Sequence, residues 1–229
     1  MCTNLLIDSR VYKREGAVTS SPDGDTSQTT AETTTVGASA SPVPVRRMRR
    51  AERREQILDA ATRAFARAGY AATGLDDIAA EAELTRAMLY RHFDSKADLY
   101  RAVLDRACLR LADATGADDF DEHAIPALLR AAAADPDGFR LLFRYAAREP
   151  DFRDLIDSIT AASREVAHRN LARRIPAGPW LDWAADLIPA FTLDAVIAWL
   201  DAGQPDPGPA ADRIAAAVHG VMAAAHPHP

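Results

Sequence analysis

From position 51 onward, apolar residues recur at intervals of three and four, and no stretch of any length alternates at every second position, so the chain reads as helix throughout. Ile57, Ala61, Ala64, Phe65 and Ala68 make the buried stripe of a first helix over 51–68, with Gly69 placed as its C-cap. Leu75, Ile78, Ala79 and Ala82 mark a short second helix. Thr73, with Asp76 three residues on, reads as the capping box at its start. Glu83-Leu84 interrupts the pattern, and Thr85 is placed to cap a third helix from Arg86 to about Phe93. Ser95, with Asp98 three residues later, opens a fourth helix whose inner face is Leu99, Val103, Leu104, Ala107, Cys108 and Leu111.

A polar, acidic, Gly-containing stretch over 115–122 reads as a loop, after which helices are expected over 122–133, 137–147, 152–175, 180–202 and 209–225. The breaks between them are Asp135-Pro136-Asp137-Gly138, Glu149-Pro150-Asp151, Ile175-Pro176-Ala177-Gly178-Pro179 and Gly203-Gln204-Pro205-Asp206-Pro207, each joining Pro to Gly or to acidic cap residues. Pro189, inside the 180–202 pattern, predicts a kink. The expected fold class is all-α.

Two short helices joined by a tight turn are the skeleton of a helix-turn-helix, whose second helix lies in the DNA major groove. Leu89 and Phe93 are four apart and share the face that packs on the preceding helix. At about 100° per residue, Ala87, Tyr90 and Arg91 point away from that face, and Arg86, Met88 and His92 lie on its flanks. A long cation, an aromatic hydroxyl and a small residue suit phosphates and base edges.

Composition fits this reading. Alanine is abundant and Val/Ile runs are rare, which favours helix over strand, and 48% hydrophobic residues supply a core. A net charge of −6 argues at first against nucleic acid. The charge is unevenly placed, however. Residues 46–110 carry 14 basic and 10 acidic groups, whereas residues 111–229 carry 10 basic and 18 acidic ones. The positive excess sits on the helix-turn-helix segment, as phosphate binding requires. It begins with Arg46, Arg47, Arg49 and Arg50, followed by Arg53 and Arg54, either a DNA-tracking arm or a solvated helix start.

Residues 1–45 are rich in Thr, Ser, Pro and Gly and are expected to be a disordered tail; a docking patch of Leu5, Leu6, Ile7, Val11 and Tyr12 is the alternative. Cys2 and Cys108 are placed too differently for a structural disulfide, so a reducing cytoplasm is the expected setting. There is no uninterrupted apolar run of 18 residues and no basic-then-apolar leader, so no membrane association is expected.

Leu89-Tyr90-Arg91-His92-Phe93, followed by Ser95-Lys96 and Leu99, resembles the recognition-helix signature of TetR-family transcriptional regulators. Ile78-Ala79-Ala80-Glu81-Ala82 and the lead-in from Phe65 to Tyr70 fit the same pattern in order and spacing, so that the resemblance covers roughly 50–104. Three positions depart from it: Glu83 stands where the family usually has Gly in the turn, Gly74 replaces a common hydroxyl residue, and Asp76 sits where a basic residue is frequent. The resemblance implies an N-terminal DNA-binding domain over 46–94 and a helical effector-binding and dimerisation domain over 95–229, with 95–112 as the linking helix. It implies a homodimeric regulator, a repressor released from a near-palindromic double-stranded operator by a small-molecule effector, with an effector-independent regulator or an activator as the alternative. On DNA, Thr85, Arg86, Ala87, Met88, Tyr90, Arg91, His92, Lys96 and the arginine run are the contact residues. Arg86 to guanine is the expected base contact. Lys96, a cation in a first turn where the helix dipole disfavours one, suits a docked phosphate or else is an ordinary solvated lysine.

In the body, Phe139, Leu142, Phe143 and Ala146 share one helical face, and Phe152, Leu155, Ile156 and Ile159 share the next. Either these are plain core, or with Arg144, Tyr145, Arg148, His168, Asn170 and Trp183 they surround a ligand. The 180–202 helix is apolar over most of its circumference, which calls for burial on two sides. Trp183, Leu187, Phe191, Val196, Trp199 and Leu200, with Ile214, Val218, Val221 and Met222 of the last helix, are the expected dimer interface. His226 and His228 at the end of the chain are weak metal candidates, and no metal or cofactor is expected. No spaced Ser/His/Asp set, HExxH motif or phosphate-cradling Gly loop points to an enzyme.

Overall fold

The computed structural model describes residues 50–116 and 123–226; the tail, Arg46, Arg47, Arg49, His228 and most of the acidic loop lie outside them. The described residues form helices without strands: α1 Arg50–Ala72, α2 Leu75–Glu81, α3 Arg86–Tyr90, α4 Lys96–Thr115, α5 Ala124–Ala134, α6 Pro136–Arg140, α7 Arg153–Leu171, α8 Pro179–Asp201 and α9 Pro207–Ala224. Helix α1 breaks at Gly69, whose φ of 80° and ψ of 166° are open to glycine, which carries no Cβ, and closed to other residues. Ser95 caps α4 by accepting from the Asp98 amide at 3.0 Å, as its spacing predicts.

The capping of α2 differs from expectation. Gly74 is the N-cap, and its amide donates to Asp77 Oδ2 at 2.8 Å. Thr73 is buried and donates its hydroxyl to the Gly69 carbonyl at 2.7 Å, closing the end of α1 rather than opening α2.

The expected 137–147 helix is replaced by three pieces: α6, a π turn over Leu141–Tyr145 and a 3₁₀ turn over Ala146–Arg148. Their side chains serve two cores at once. Phe139 packs with α5 and α8, whereas Leu141, Leu142 and Ala146 enter the core shared by α1 and α4. The extra residue of a π turn re-aims side chains around the axis, which lets adjacent positions reach different clusters. Phe139, Leu142, Phe143 and Ala146 therefore do not form one lining face.

That first core runs without interruption from Ile57 and Phe65 of α1, through Leu89, Tyr100 and Leu104, to Phe152 and Ile159. A second joins α5, α6, the C-terminal half of α8 and the start of α9; a third joins the ends of α7 and α9 to the first half of α8. Helix α8 runs through Pro189 as one helix and contacts α5, α7 and α9. Its mean hydropathy reaches 1.4 over an 18-residue window, long and apolar enough by length and composition to cross a membrane, although Asp residues interrupt the run in sequence. Supplying two cores demands that apolar circumference.

Candidate nucleic-acid interface

Four side chains tie α1 to α2, against which α3 packs. Arg63 and Arg67 both donate to Glu81, at 2.9 and 3.1 Å, and hold its carboxyl below the ordinary range. Gln56 donates to the Ala82 carbonyl at 2.8 Å, satisfying one of the orphan groups at the end of α2. The turn that follows is a Schellman motif: the Leu84 amide bonds Ala79 O at 2.8 Å and the Glu83 amide bonds Ala80 O at 3.1 Å. Glu83 occupies its left-handed position with φ 55°, so a side chain stands where glycine fits without strain.

Thr85 then caps α3 by accepting from the Met88 amide at 3.3 Å. Leu89 and Phe93 are buried beneath, as their spacing predicts, and Arg54 lies 5.0 Å above the Phe93 ring. Arg86, Ala87, Tyr90 and Arg91 are exposed, with Met88 and His92 half-buried beside them. Burial, reinforced by Arg50, Arg54 and Arg53, lowers the His92 pKa, so the basic start of α1 and the end of α3 form one positive neighbourhood.

Arg86 is not free on this surface. Its Nη1 donates to Asp76 Oδ2 at 3.0 Å and its Nη2 to the Tyr90 hydroxyl at 3.3 Å, with the guanidinium 5.6 Å from the Tyr90 ring centre. Lys96 is also engaged, donating to the Tyr70 carbonyl at 2.9 Å and lying 4.5 Å from that ring's centre. Carbonyls at the end of α1 are thus the partners of a cation in the first turn of α4.

Behind this face stands Arg106, which the apolar stripe of α4 alone does not predict. It is buried, and donates to Asp59 at 2.7 Å, Glu55 at 3.2 Å and Thr62 at 2.8 Å, tying α4 to α1. Arg110 extends the link to Asp135, the N-cap of α6. A charged residue at spacing i+3 from Val103, inside the stripe, is the signal available in sequence.

The residues singled out as ligand-binding do not converge. Phe139 and Phe143 pair at 4.8 Å in the second core, while Phe152 stacks among Tyr70 and Tyr100 with Ile156 at its edge. Arg144 is held by Asp201 at 2.6 Å, and Arg148 is exposed. His168 lies 3.4 Å from Asp182, and Trp183 is exposed against Trp180. Two surface clefts, of about 400 and 420 Å³, are lined mostly by charged residues; of the ligand candidates only His168 borders one of them.

The interface candidates divide as well. Val196, Trp199, Leu200 and Ile214 are buried in the chain's own second core, with Trp199 Nε1 donating to the Pro205 carbonyl at 2.8 Å, so they are not available to a partner. Trp183 is exposed, and Leu187, Phe191, Val218, Val221 and Met222 are half-buried.

Residues 57–103 match the family described as bacterial regulatory proteins, tetR family. The transcriptional activator FasR of Mycolicibacterium smegmatis is 32% identical over 180 residues, 69% of this chain and 77% of its own length. The transcriptional repressor SCO4008 of Streptomyces coelicolor is 39% identical over 89 residues, 38% of this chain and 46% of its own. Among solved structures, a TetR-like transcriptional regulator from Rhodococcus sp. RHA1 superimposes with a TM-score of 0.64 at 24% identity, covering 73% of this chain and 94% of that one.

Proposed function

The chain belongs to the TetR family of DNA-binding transcriptional regulators, and from that premise we propose that it acts as a homodimer on a near-palindromic operator and is released by a small-molecule effector. The observation that carries the DNA contact is the exposed set Arg86, Ala87, Tyr90 and Arg91, presented by a capped helix beside Arg50, Arg53 and Arg54. Arg86 reads guanine; Tyr90 and His92 fix the phosphate register, and Lys96 joins them by giving up its carbonyl partners for a phosphate. With residues 46–94 as the DNA-binding unit and the rest as the body, two copies place their α3 helices in successive major grooves about 34 Å apart, or one further turn.

Dimerisation uses the outer face of α8 and α9. Trp183 of α8 is exposed and Leu187 and Phe191 are half-buried, and on α9, which packs against α8, Ala216, Ala217, Gly220, Ala223 and Ala224 are exposed and small enough for close helix approach. Helix α4 transmits the effector signal, because its buried face belongs to the same core as α1 and the π turn. A ligand shifts the equilibrium only by its difference in affinity for the two states.

A titration of the wild-type chain and Tyr90→Ala against the DNA upstream of its own gene, at two salt concentrations, tests the DNA contact. Tight binding that weakens with salt, and at least about tenfold with the substitution, is expected. Equal binding by both proteins would remove Tyr90 from the interface. A second reading, activation, is favoured by the name of the FasR relative, which this chain matches over most of both lengths; reporter output with and without the protein separates the two signs.

A further inference from the structure

We propose that Asp76 is a positioning residue that aims Arg86 and so sets selectivity for guanine at one position of each half-site; this rests on the DNA-binding reading of α3. Asp76 sits in the first turn of α2, and Arg86 is the first residue of α3. Both are exposed, with side chains 73% and 55% accessible, yet they meet at 3.0 Å across the turn. Asp76 is not needed to cap α2, because Asp77 bonds the Gly74 amide.

A carboxylate on a face that receives phosphates weakens binding to every sequence by like-charge repulsion. Its presence makes chemical sense through what it does to Arg86. An unrestrained arginine loses side-chain entropy when DNA orders it, and that cost falls on every contact it makes. Here one Nη1 hydrogen goes to Asp76 and one Nη2 hydrogen to the Tyr90 hydroxyl, while the ring beneath stops the guanidinium from swinging down. Of the five N–H donors of an arginine, three remain, which suffices for a bidentate bond to guanine O6 and N7. The carboxylate also penalises any pose in which Arg86 leaves the base for a phosphate, since Asp76 would then stand unpaired against the backbone. Selectivity is a difference of affinities, and a repulsive element raises it.

The test is selection of the full-length protein on a duplex library with a randomised core, followed by titration of the selected duplex, its single-base variants and random-sequence DNA. Arg86→Ala identifies the position that Arg86 reads. At that position Asp76→Ala and Asp76→Asn are expected to lose about tenfold in discrimination against the other bases, with the remaining positions unchanged. Both are expected to bind random-sequence DNA about two- to threefold more tightly at low salt, because a negative charge is gone. A general folding defect gives neither the opposite signs nor the single affected position, and Asp76→Glu restores part of the discrimination. Unchanged selectivity in Asp76→Asn, an even loss across all positions, or a wild-type site with no Arg86-dependent guanine overturns the proposal while leaving DNA binding standing. A wild-type protein that selects no sequence overturns both.

Discussion

On α3 and on α4, a tyrosine and an arginine serve opposite ends. On α3, Tyr90 is 45% exposed and the Arg86 side chain 55% accessible; on α4, Tyr100 is fully buried and the Arg106 side chain only 10% accessible. Tyr90 and Arg86 bond mainly to each other and to Asp76, and nothing in the core depends on them. Tyr100 stacks edge-on against Phe65 and Phe152, at 4.8 and 4.6 Å, and Arg106 clamps α4 to α1. A surface meant for a partner leaves its side chains in water with spare bonding capacity, whereas a seam between helices buries its ring and spends its guanidinium on neighbouring carboxylates. Substitution should therefore cost function in the first pair and folding in the second.

The strongest way to break that comparison is Tyr100→Ala. Removing a buried aromatic ring at the meeting point of α1, α4 and the Pro150–Phe152 turn is expected to cost about 3–5 kcal/mol of stability, read from urea denaturation. Tyr90→Ala should leave stability within about 0.5 kcal/mol. Tyr100→Phe sharpens the point. The Tyr100 hydroxyl is buried and has no hydrogen-bond partner among the described residues, so its removal is expected to gain about 1 kcal/mol. Burial, then the charges of Glu149 and Tyr70, push that phenol well above its ordinary range. The unfolded chain therefore releases this proton near pH 10 while the folded chain keeps it. The folded state binds more protons above that pH, and stability falls there by up to about 1.4 kcal/mol per unit. Tyr100→Phe should lack that part of the alkaline loss; an unchanged alkaline limb would place the titration elsewhere, Tyr70 being the other raised phenol.

Next in size is Arg106→Ala, expected to cost about 2 kcal/mol. The figure lies below that for a fully buried pair, since Glu55 and Asp59 keep about half their surface in water. Arg86→Ala, which breaks an exposed pair, should not measurably change the melting curve. Equal losses from the two arginines would erase the distinction between face and seam.

How far each region was legible in sequence follows from the range of the interactions that build it. The α2–turn–α3 unit closes within about twenty residues, so Leu89, Phe93 and the Thr85 cap could be placed from spacing alone. The seam could not be placed in this way. Arg106 meets residues 44 to 51 positions away, and no local pattern announces a partner at that distance. The π turn was hidden for a related reason: Leu141 and Leu142 face a core supplied by α1 and α4, and Phe139 one supplied by α5 and α8. Regular helix periodicity is a sound prior until tertiary packing asks adjacent residues to point different ways. The same limit misassigned Val196, Trp199, Leu200 and Ile214, because an apolar face reads alike whether its cover is the chain's own helices or a second copy. Thr73 failed locally instead: two residue types able to cap stood side by side, and Asp77 reached the amide.

The smallest effect lies in the turn that joins α2 to α3. Glu83 adopts φ 55° at the C′ position of the Schellman motif, a conformation that costs a side-chain-bearing residue about 1–2 kcal/mol. Glycine removes that strain but loses more backbone entropy on folding, worth about 0.5–1 kcal/mol. The net expectation for Glu83→Gly is a gain of about 0.5–1 kcal/mol, seen as a rise of about 1–4 °C in the melting temperature. Glu83→Ala keeps a Cβ in the same conformation and should gain nothing, so the difference between the two variants measures the strain itself. Both should leave DNA selectivity unaltered, because the residue shapes the turn and carries no contact of the Arg86 set. A Glu83→Gly protein no more stable than Glu83→Ala would mean that the turn tolerates its side chain without strain.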